Sequence, residues 1–292
     1  MIRARILPVL TIVAAIIAIW YAAAVLLNAP FERDQARRAG SDIAFSQILT
    51  NTMAQERPVL PAPHQVAAEI WDTTVNKKIT SKRSLVYHGW ITLSATLLGF
   101  VMGTVLGILL AVGIVHSRVL DKSLMPWIIT SQTIPILAIA PMIIVVLNSV
   151  GVTGLVPKAL ISTYLSFFPV AVGMVKGLRS PEAMHLDLMK TYNSSRSDVF
   201  WKLRWPSSVP FLFASMKVAI AISLVGAIVG ELPTGAVAGL GARLLAGSYY
   251  GQTVQIWSAL IAAAAMAAVL VTIVGMTGAW LNRRMGIREA AQ

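Results

Sequence analysis

The chain has 292 residues, 57% hydrophobic and only 12% charged, with a mean hydropathy of +0.73. Soluble domains carry roughly a quarter charged residues, and one soluble core does not absorb this much apolar surface, so the composition points to a membrane protein. The chain lacks cysteine, which excludes disulfides, thiolate chemistry and cysteine-based zinc sites; the net charge of +12 reads as a topology signal rather than nucleic-acid binding, because basic residues lie largely between apolar runs.

A membrane-crossing helix needs about 20 mostly apolar residues. Six stretches qualify, at 6–27, 90–114, 124–147, 155–175, 209–230 and 254–280, which predicts an all-α membrane protein with six transmembrane helices. The first follows Arg3 and Arg5, exceeds the apolar core of a signal peptide, and lacks a clear small-residue cleavage site after it. It is therefore expected to be a retained span, forming a first segment at 1–28.

Residues 29–89 form a long outer loop in which eight basic and six acidic residues are mixed; a loop of this length largely escapes the charge rule. Arg57-Pro58-Val59-Leu60-Pro61-Ala62-Pro63 is too rich in proline for helix. From His64 to Val75, the spacing of Val66, Ala67, Ile70 and Trp71 suits a helix lying on the membrane surface, or a small extramembrane cap.

A transmembrane domain is expected over 90–285, with a tail at 286–292. In its first span Gly99, Gly103 and Gly107 form a small-residue face that admits another helix to backbone contact. The next span is interrupted by Gln132, Thr133, Pro135 and Pro141. Such polar, proline-containing breaks often line a cavity in transporters, although an ordinary packed kink has the same sequence pattern. Ser162, Thr163 and Ser166 in the following span are expected to bond back to their own helix.

The longest inner loop, 178–206, reads as two short helices around a tight turn. Ser180 is placed as N-cap with Pro181 and Glu182 after it. Asn193 suits a left-handed stop. Ser195 caps the second helix with Asp198 three residues on, and Pro206 is expected to end it. Tyr192, Phe200, Trp201 and Trp205 are read as exposed aromatics among arginines, a composition typical of a protein-binding patch. An interfacial belt is the alternative for some of them.

In the fifth span, Lys217 is expected to snorkel. Glu231 at its end is either a structural partner or a pathway residue. Short-loop charge (Arg118 and Lys122; Lys176 through Arg204; Arg283, Arg284 and Arg288) places both termini in the cytoplasm. The chain carries no phosphate-binding G-x-x-x-x-G-K-[ST], and Gly239-Leu240-Gly241 lacks the βαβ context of a dinucleotide fingerprint. The four histidines are scattered, so no metal or other cofactor is expected.

The run from Asp187 to Pro206 resembles the EAA loop of binding-protein-dependent ABC importer permeases, whose pattern is approximately EAA, three residues, Gly, then an apolar-spaced stretch ending in Leu-Pro. Here Asp187-Leu188-Met189 replaces the triplet and Asn193 replaces the glycine. Leu60-Pro61-Ala62-Pro63, the His88–Gly107 stretch, Gln132-Thr133-Ile134-Pro135 and Glu231 with Gly239-Leu240-Gly241 are similar to elements of the nitrate/sulfonate/taurine-type branch. The resemblance covers roughly 58–285 and leaves 29–57 unexplained.

It implies a type I importer permease with a MetI-like bundle and no catalytic residues. ATP hydrolysis would reside on a cytoplasmic ATP-binding subunit, gripped through Asp187, Tyr192, Asn193, Ser194, Ser195, Arg196, Phe200 and Leu203. It further implies a periplasmic solute-binding protein, a second permease copy or paralogue, and location in the bacterial inner membrane. Gln132, Thr133, Pro135 and Glu231 are the pathway candidates for a sulfonate, nitrate, taurine or pyrimidine-like solute. The rival readings are a stand-alone secondary transporter, a membrane scaffold and an integral membrane enzyme.

Overall fold

The computed structural model describes residues 2–40, 43–233 and 238–286. Arg288 and most of the expected tail lie outside the described residues, as do the side chains of Arg3 and Arg5. The described elements are all helical. Among the described residues five helices are long and apolar enough to cross a membrane, and a sixth apolar stretch is a bent helix pair. The chain divides into two compact units, Met1–His88 with Ala242–Ala262, and Gly89–Gly241 with Ala263–Gln292.

In the first unit, α1 (Ile2–Arg38) runs well past the expected end of the span at residue 27. Asn28 explains the extension. It is fully buried, donates from Nδ2 to Leu60 O (2.8 Å) and accepts from the backbone N–H groups of Val59 (2.7 Å) and Leu60 (3.2 Å). Trp20 Nε1 donates to Pro61 O (2.9 Å). The proline-rich stretch, unable to form its own helix, is thus hydrogen-bonded to α1.

One turn on, Glu32 accepts from Asn51 (3.0 Å) and Gln55 (2.5 Å), which clips α2 (Phe45–Ala54) beside α1. The described parts of 29–57 are therefore two helices held side by side rather than an open loop. The expected surface helix is α3 (Pro63–Trp71), started by Pro63 and continued through a π-turn at Asp72–Asn76. Val66 is buried and Trp71 exposed.

The second unit is built on close helix contact. A Cβ placed on Gly99, Gly103 or Gly107 of α4 (Leu85–His116) would lie 2.2 Å from Ser162 Cβ, 2.1 Å from Ser166 Oγ and 2.8 Å from Val170 Cβ. The glycine face thus seats α7 (Leu155–Leu178). Of the three α7 hydroxyls expected to bond back along their own helix, Thr163 does so, to Ala159 O (2.8 Å), with Gly99 O at 3.3 Å. Ser166 does so in part, reaching both Thr163 O (3.4 Å) and Gly99 O (3.2 Å). Ser162 Oγ instead donates across to Ser223 O (2.8 Å), just as Ser223 Oγ donates across to Thr96 O (2.8 Å). Backbones brought this near leave neighbouring carbonyls within reach of a short hydroxyl. Each such bond adds only about 0.6 kcal/mol in membranes, so tight packing is the larger effect.

The expected third span is broken. α5 (Arg118–Ser131) and α6 (Ile136–Ser149) meet at a 99° bend. Pro135 has no N–H for the Ser131 carbonyl, and it bars Ile134 from helical geometry. The Tyr164 hydroxyl donates to Ser131 O, so the carbonyl freed by proline is satisfied from α7.

Candidate functional site

After α7 the chain forms a helical hairpin whose first arm is α8 (Ala183–Thr191). Glu182, not Ser180, is its N-cap residue, because the Ser180 hydroxyl donates back to Gly177 O (2.7 Å) and completes the end of α7. At the other end Asn193 takes φ = 50°, the one non-glycine residue with positive φ among those described. Asn193 N–H donates to Lys190 O (2.8 Å) and Ser194 N–H to Met189 O (3.0 Å). That pair of bonds is a Schellman motif, so asparagine fills the role usually given to glycine.

Ser195 Oγ then accepts from Asp198 N–H (3.1 Å), and its hydroxyl donates to the Asp198 carboxylate (2.5 Å). Lys202 pairs with that carboxylate at 2.5 Å. This capping box opens α9 (Arg196–Asp198), which passes through a π-turn at Val199–Arg204 into α10 (Trp205–Gly230). Pro206 does not end the helix. The wide turn, in which Trp205 N–H bonds to Phe200 O, shifts the pairing by one residue just where a proline would meet its i−4 carbonyl.

The hairpin base is fixed in two places. Arg204 donates to Leu178 O (3.0 Å), and Arg179 pairs with Asp121 at 2.9 Å. Phe200, expected among the exposed aromatics, is 9% exposed. It packs edge-on to His116 with ring centroids 5.2 Å apart, so it anchors the hairpin in the core, with Trp205 partly buried beside it.

What the hairpin exposes is an apolar stripe. Met184, Leu188 and Tyr192 are 69%, 53% and 76% exposed. The i, i+4 spacing puts Met184 and Leu188 on one face of α8, and Tyr192, its C-cap residue, continues that spacing just past the helix end. Asp187, Asn193, Ser195 and Arg196 are also exposed, while Ser194 and Leu203 are half-buried. Met184 and Leu188 were missed by sequence reasoning, though their spacing from Tyr192 was the available signal.

The second arrangement surrounds Glu231, which is fully buried. Thr92 Oγ1 donates to its two carboxylate oxygens (3.0 and 2.9 Å), Gly241 N–H donates at 2.9 Å, and Lys158 Nζ lies 3.7 Å away. Thr92 also accepts from Leu240 N–H (2.8 Å), and Lys158 donates to Ala238 O (3.0 Å). Gly239 has φ = +129°, and a Cβ there would sit 2.1 Å from Glu231 Cδ. The glycines of Gly239-Leu240-Gly241 therefore make room for a carboxylate that holds the turn.

The pathway candidates are not gathered into one constellation by these bonds. Gln132 donates to the neighbouring Ser131 hydroxyl (3.3 Å), Thr133 to Thr130 O (2.8 Å), and Pro135 caps α6. Thr133 and Pro135 are exposed and Gln132 is half-exposed. Lys217, expected to snorkel, is exposed, and a Cβ on Gly275 would lie 3.3 Å from its Cε. Among the described residues no three His, Cys, Asp or Glu side chains converge as a metal site.

In the first unit Arg243, on α11 (Leu240–Tyr249), is 4% exposed. It pairs with Glu69 at 2.9 Å and donates to Arg83 O (2.8 Å). Burial pulls its guanidinium below the ordinary value, and Glu69 opposes that shift.

Residues 103–287 match the model of the family described as binding-protein-dependent transport system inner membrane component. A probable ABC transporter permease protein of Haemophilus influenzae is 29% identical, over 70% of this chain and 78% of that protein. A formylaminopyrimidine transport permease protein of Halalkalibacterium halodurans is 29% identical, over 63% and 68%. Further relatives are named for riboflavin, aliphatic sulfonate and nitrate transport. The MetNI methionine ABC transporter, solved in an inward-facing conformation, has a chain that superposes with a TM-score of 0.58 at 18% identity, covering 69% of this chain and 96% of that one.

Proposed function

The chain belongs to the family of binding-protein-dependent transport system inner membrane components, and from that premise we propose that its hairpin over 178–206 couples it to a separate cytoplasmic ATPase. The observation that carries this reading is a preformed turn bearing an exposed apolar stripe. Asn193 and Ser195 fix the turn locally, Phe200 ties it to the helix core, and Met184, Leu188 and Tyr192 are left without a cover. Aromatic and methionine side chains of this kind are enriched where proteins dock. A rigid lever transmits a displacement that a loose loop would absorb.

In this reading both termini are cytoplasmic and the 29–89 segment is periplasmic. A periplasmic binding protein delivers the solute, and the pathway forms between this chain and a second permease copy or a paralogue. The bend at Gln132, Thr133 and Pro135 lines that pathway, since irregular backbone at membrane depth is tolerated where it borders a cavity. Glu231 acts beside it as the clamp of the Gly239–Gly241 turn. The solute is small and polar or anionic, in line with the sulfonate, nitrate and pyrimidine systems among its relatives. A carboxylate whose oxygens are already engaged by Thr92, Lys158 and Gly241 argues against a proton-driven carrier built on Glu231.

Single cysteines report cleanly here because the chain has none of its own. Leu188→Cys or Ser194→Cys should crosslink to the ATPase of the same transport system, with a yield that changes between ATP-bound and nucleotide-free states. Absence of any nucleotide-sensitive crosslink from 184 to 200 would overturn the assignment.

A further inference from the structure

The first unit contains an open cavity of about 510 Å³, within the ~300–1,000 Å³ range of small-molecule sites. Its walls come from α3 and its π-turn, the connection leading to α4, and the stretch from Arg243 to Gln255. Arg243 is its buried element. One terminal nitrogen pairs with Glu69 and the other donates to Arg83 O, while Nε is buried and has no hydrogen-bond partner among the described residues. A guanidinium offers five donors in a planar fork that matches an oxyanion, and here the fork is only partly filled.

The acidic residues of the cavity are mostly committed. Glu69 is held by Arg243, and Asp72 by Asn76 and Lys77 at 3.1 Å each. Asn76 and Lys77 keep the Asp72 carboxyl below the usual carboxylate range. Arg57, Lys82 and Arg83 then share the lining with one further carboxylate, Glu56, so the cavity carries an excess of positive charge.

We propose that this cavity binds a small oxyanion, a carboxylate, sulfonate or phosphate group, with Arg243 as its buried anchor and Lys82 and Arg83 as exposed arms. The inference stands independently of the coupling hairpin, which lies in the other unit. A free solute anion and the headgroup of an anionic lipid present the same chemistry, and the experiment separates them.

The full-length chain, purified in detergent, is titrated calorimetrically with sodium sulfate and with methanesulfonate at fixed ionic strength. In parallel, phosphatidylglycerol retention is measured by mass spectrometry after reconstitution in nanodiscs of phosphatidylcholine with added phosphatidylglycerol. Saturable binding of either soluble anion supports a free oxyanion. Retention of phosphatidylglycerol without soluble-anion binding supports a headgroup. Arg243→Lys should weaken whichever ligand binds by roughly tenfold or more, since a point charge replaces a fork. Lys82→Gln should weaken it up to about fivefold, the scale of an exposed ion pair. The Lys82 side chain is exposed, so this variant keeps the test alive where Arg243→Lys disturbs the fold. No saturable ligand of either kind, or equal binding by wild type and Lys82→Gln, overturns the proposal.

Discussion

Two turns of the second unit solve the same problem in opposite ways. The hairpin turn at Asn193 is exposed and held by neighbours in sequence: its Schellman and capping-box bonds span no more than five residues. The turn at Gly239–Gly241 is buried and held by Glu231, Thr92 and Lys158, residues up to 148 positions away. Local bonds make a turn that keeps its shape while its surface stays available to a partner. Distant bonds make a turn whose shape is inseparable from the bundle around it. Damage to the first should therefore cost function more than stability, and damage to the second should cost stability first.

The largest effect is expected from Gly239→Ala. Its Cβ would fall 2.1 Å from Glu231 Cδ at φ = +129°, so it adds backbone strain and displaces a buried carboxylate from its donors. Strain of ~1–3 kcal/mol and about 1–3 kcal/mol for unsatisfied buried groups place the loss near 4 kcal/mol. It is read as a lower melting temperature and poor recovery of folded protein in detergent. Glu231→Gln keeps the shape and one acceptor, so it should lose about half as much, on the order of 2 kcal/mol. A fully stable Gly239→Ala protein would mean that the carboxylate is not clamping the turn.

The hairpin variants come next. Asn193→Val puts a β-branched residue at φ = 50° and should cost roughly 1–2 kcal/mol, whereas Asn193→Gly should be close to neutral. Ser195→Ala removes the acceptor for Asp198 N–H and should cost about 1 kcal/mol. Limited proteolysis at the hairpin is the sensitive readout for both, because the opening is local. If Asn193→Gly proves as damaging as Asn193→Val, the left-handed conformation is not what the position requires.

The same division governs what was legible in the sequence. Asn193 and the Ser195–Asp198 box could be read from residue order, because the atoms that satisfy them are within a turn. The bend at Pro135 was visible as an interruption, but its angle was not, since Tyr164 on another helix decides which carbonyl is satisfied. Glu231 stood out as an ionisable residue at a span end, yet nothing in its neighbourhood named Thr92 as its donor. The expectation that the α7 hydroxyls bond along their own helix holds for Thr163 and in part for Ser166 but fails for Ser162, because hydroxyl spacing cannot reveal how closely Gly226 brings α10. Phe200 was misread as exposed for the same reason: its partner, His116, lies 84 positions earlier. Ser180 and Pro206 failed differently, each displaced by a competing backbone register at a helix end.

The smallest structural effect, and the sharpest test of the contrast, is Tyr192→Ala. Tyr192 is 76% exposed, and its backbone, not its ring, takes part in the turn, through the N–H bond to Leu188 O at 3.1 Å. Surface substitutions away from special features usually stay within ~0.5 kcal/mol, so the melting temperature should barely move. Truncation of a docking aromatic typically costs ~2 kcal/mol or more of binding where it fills a pocket on the partner, or about thirtyfold in affinity for the ATPase. Solute-stimulated ATP hydrolysis and uptake should then fall together while the isolated permease remains folded. Leu188→Ala, one turn back on the same stripe, should show a weaker form of the same split. A Tyr192→Ala protein that transports normally would remove the exposed stripe from the coupling mechanism, and would leave the anchored face around Phe200 as the part of the hairpin that carries the load.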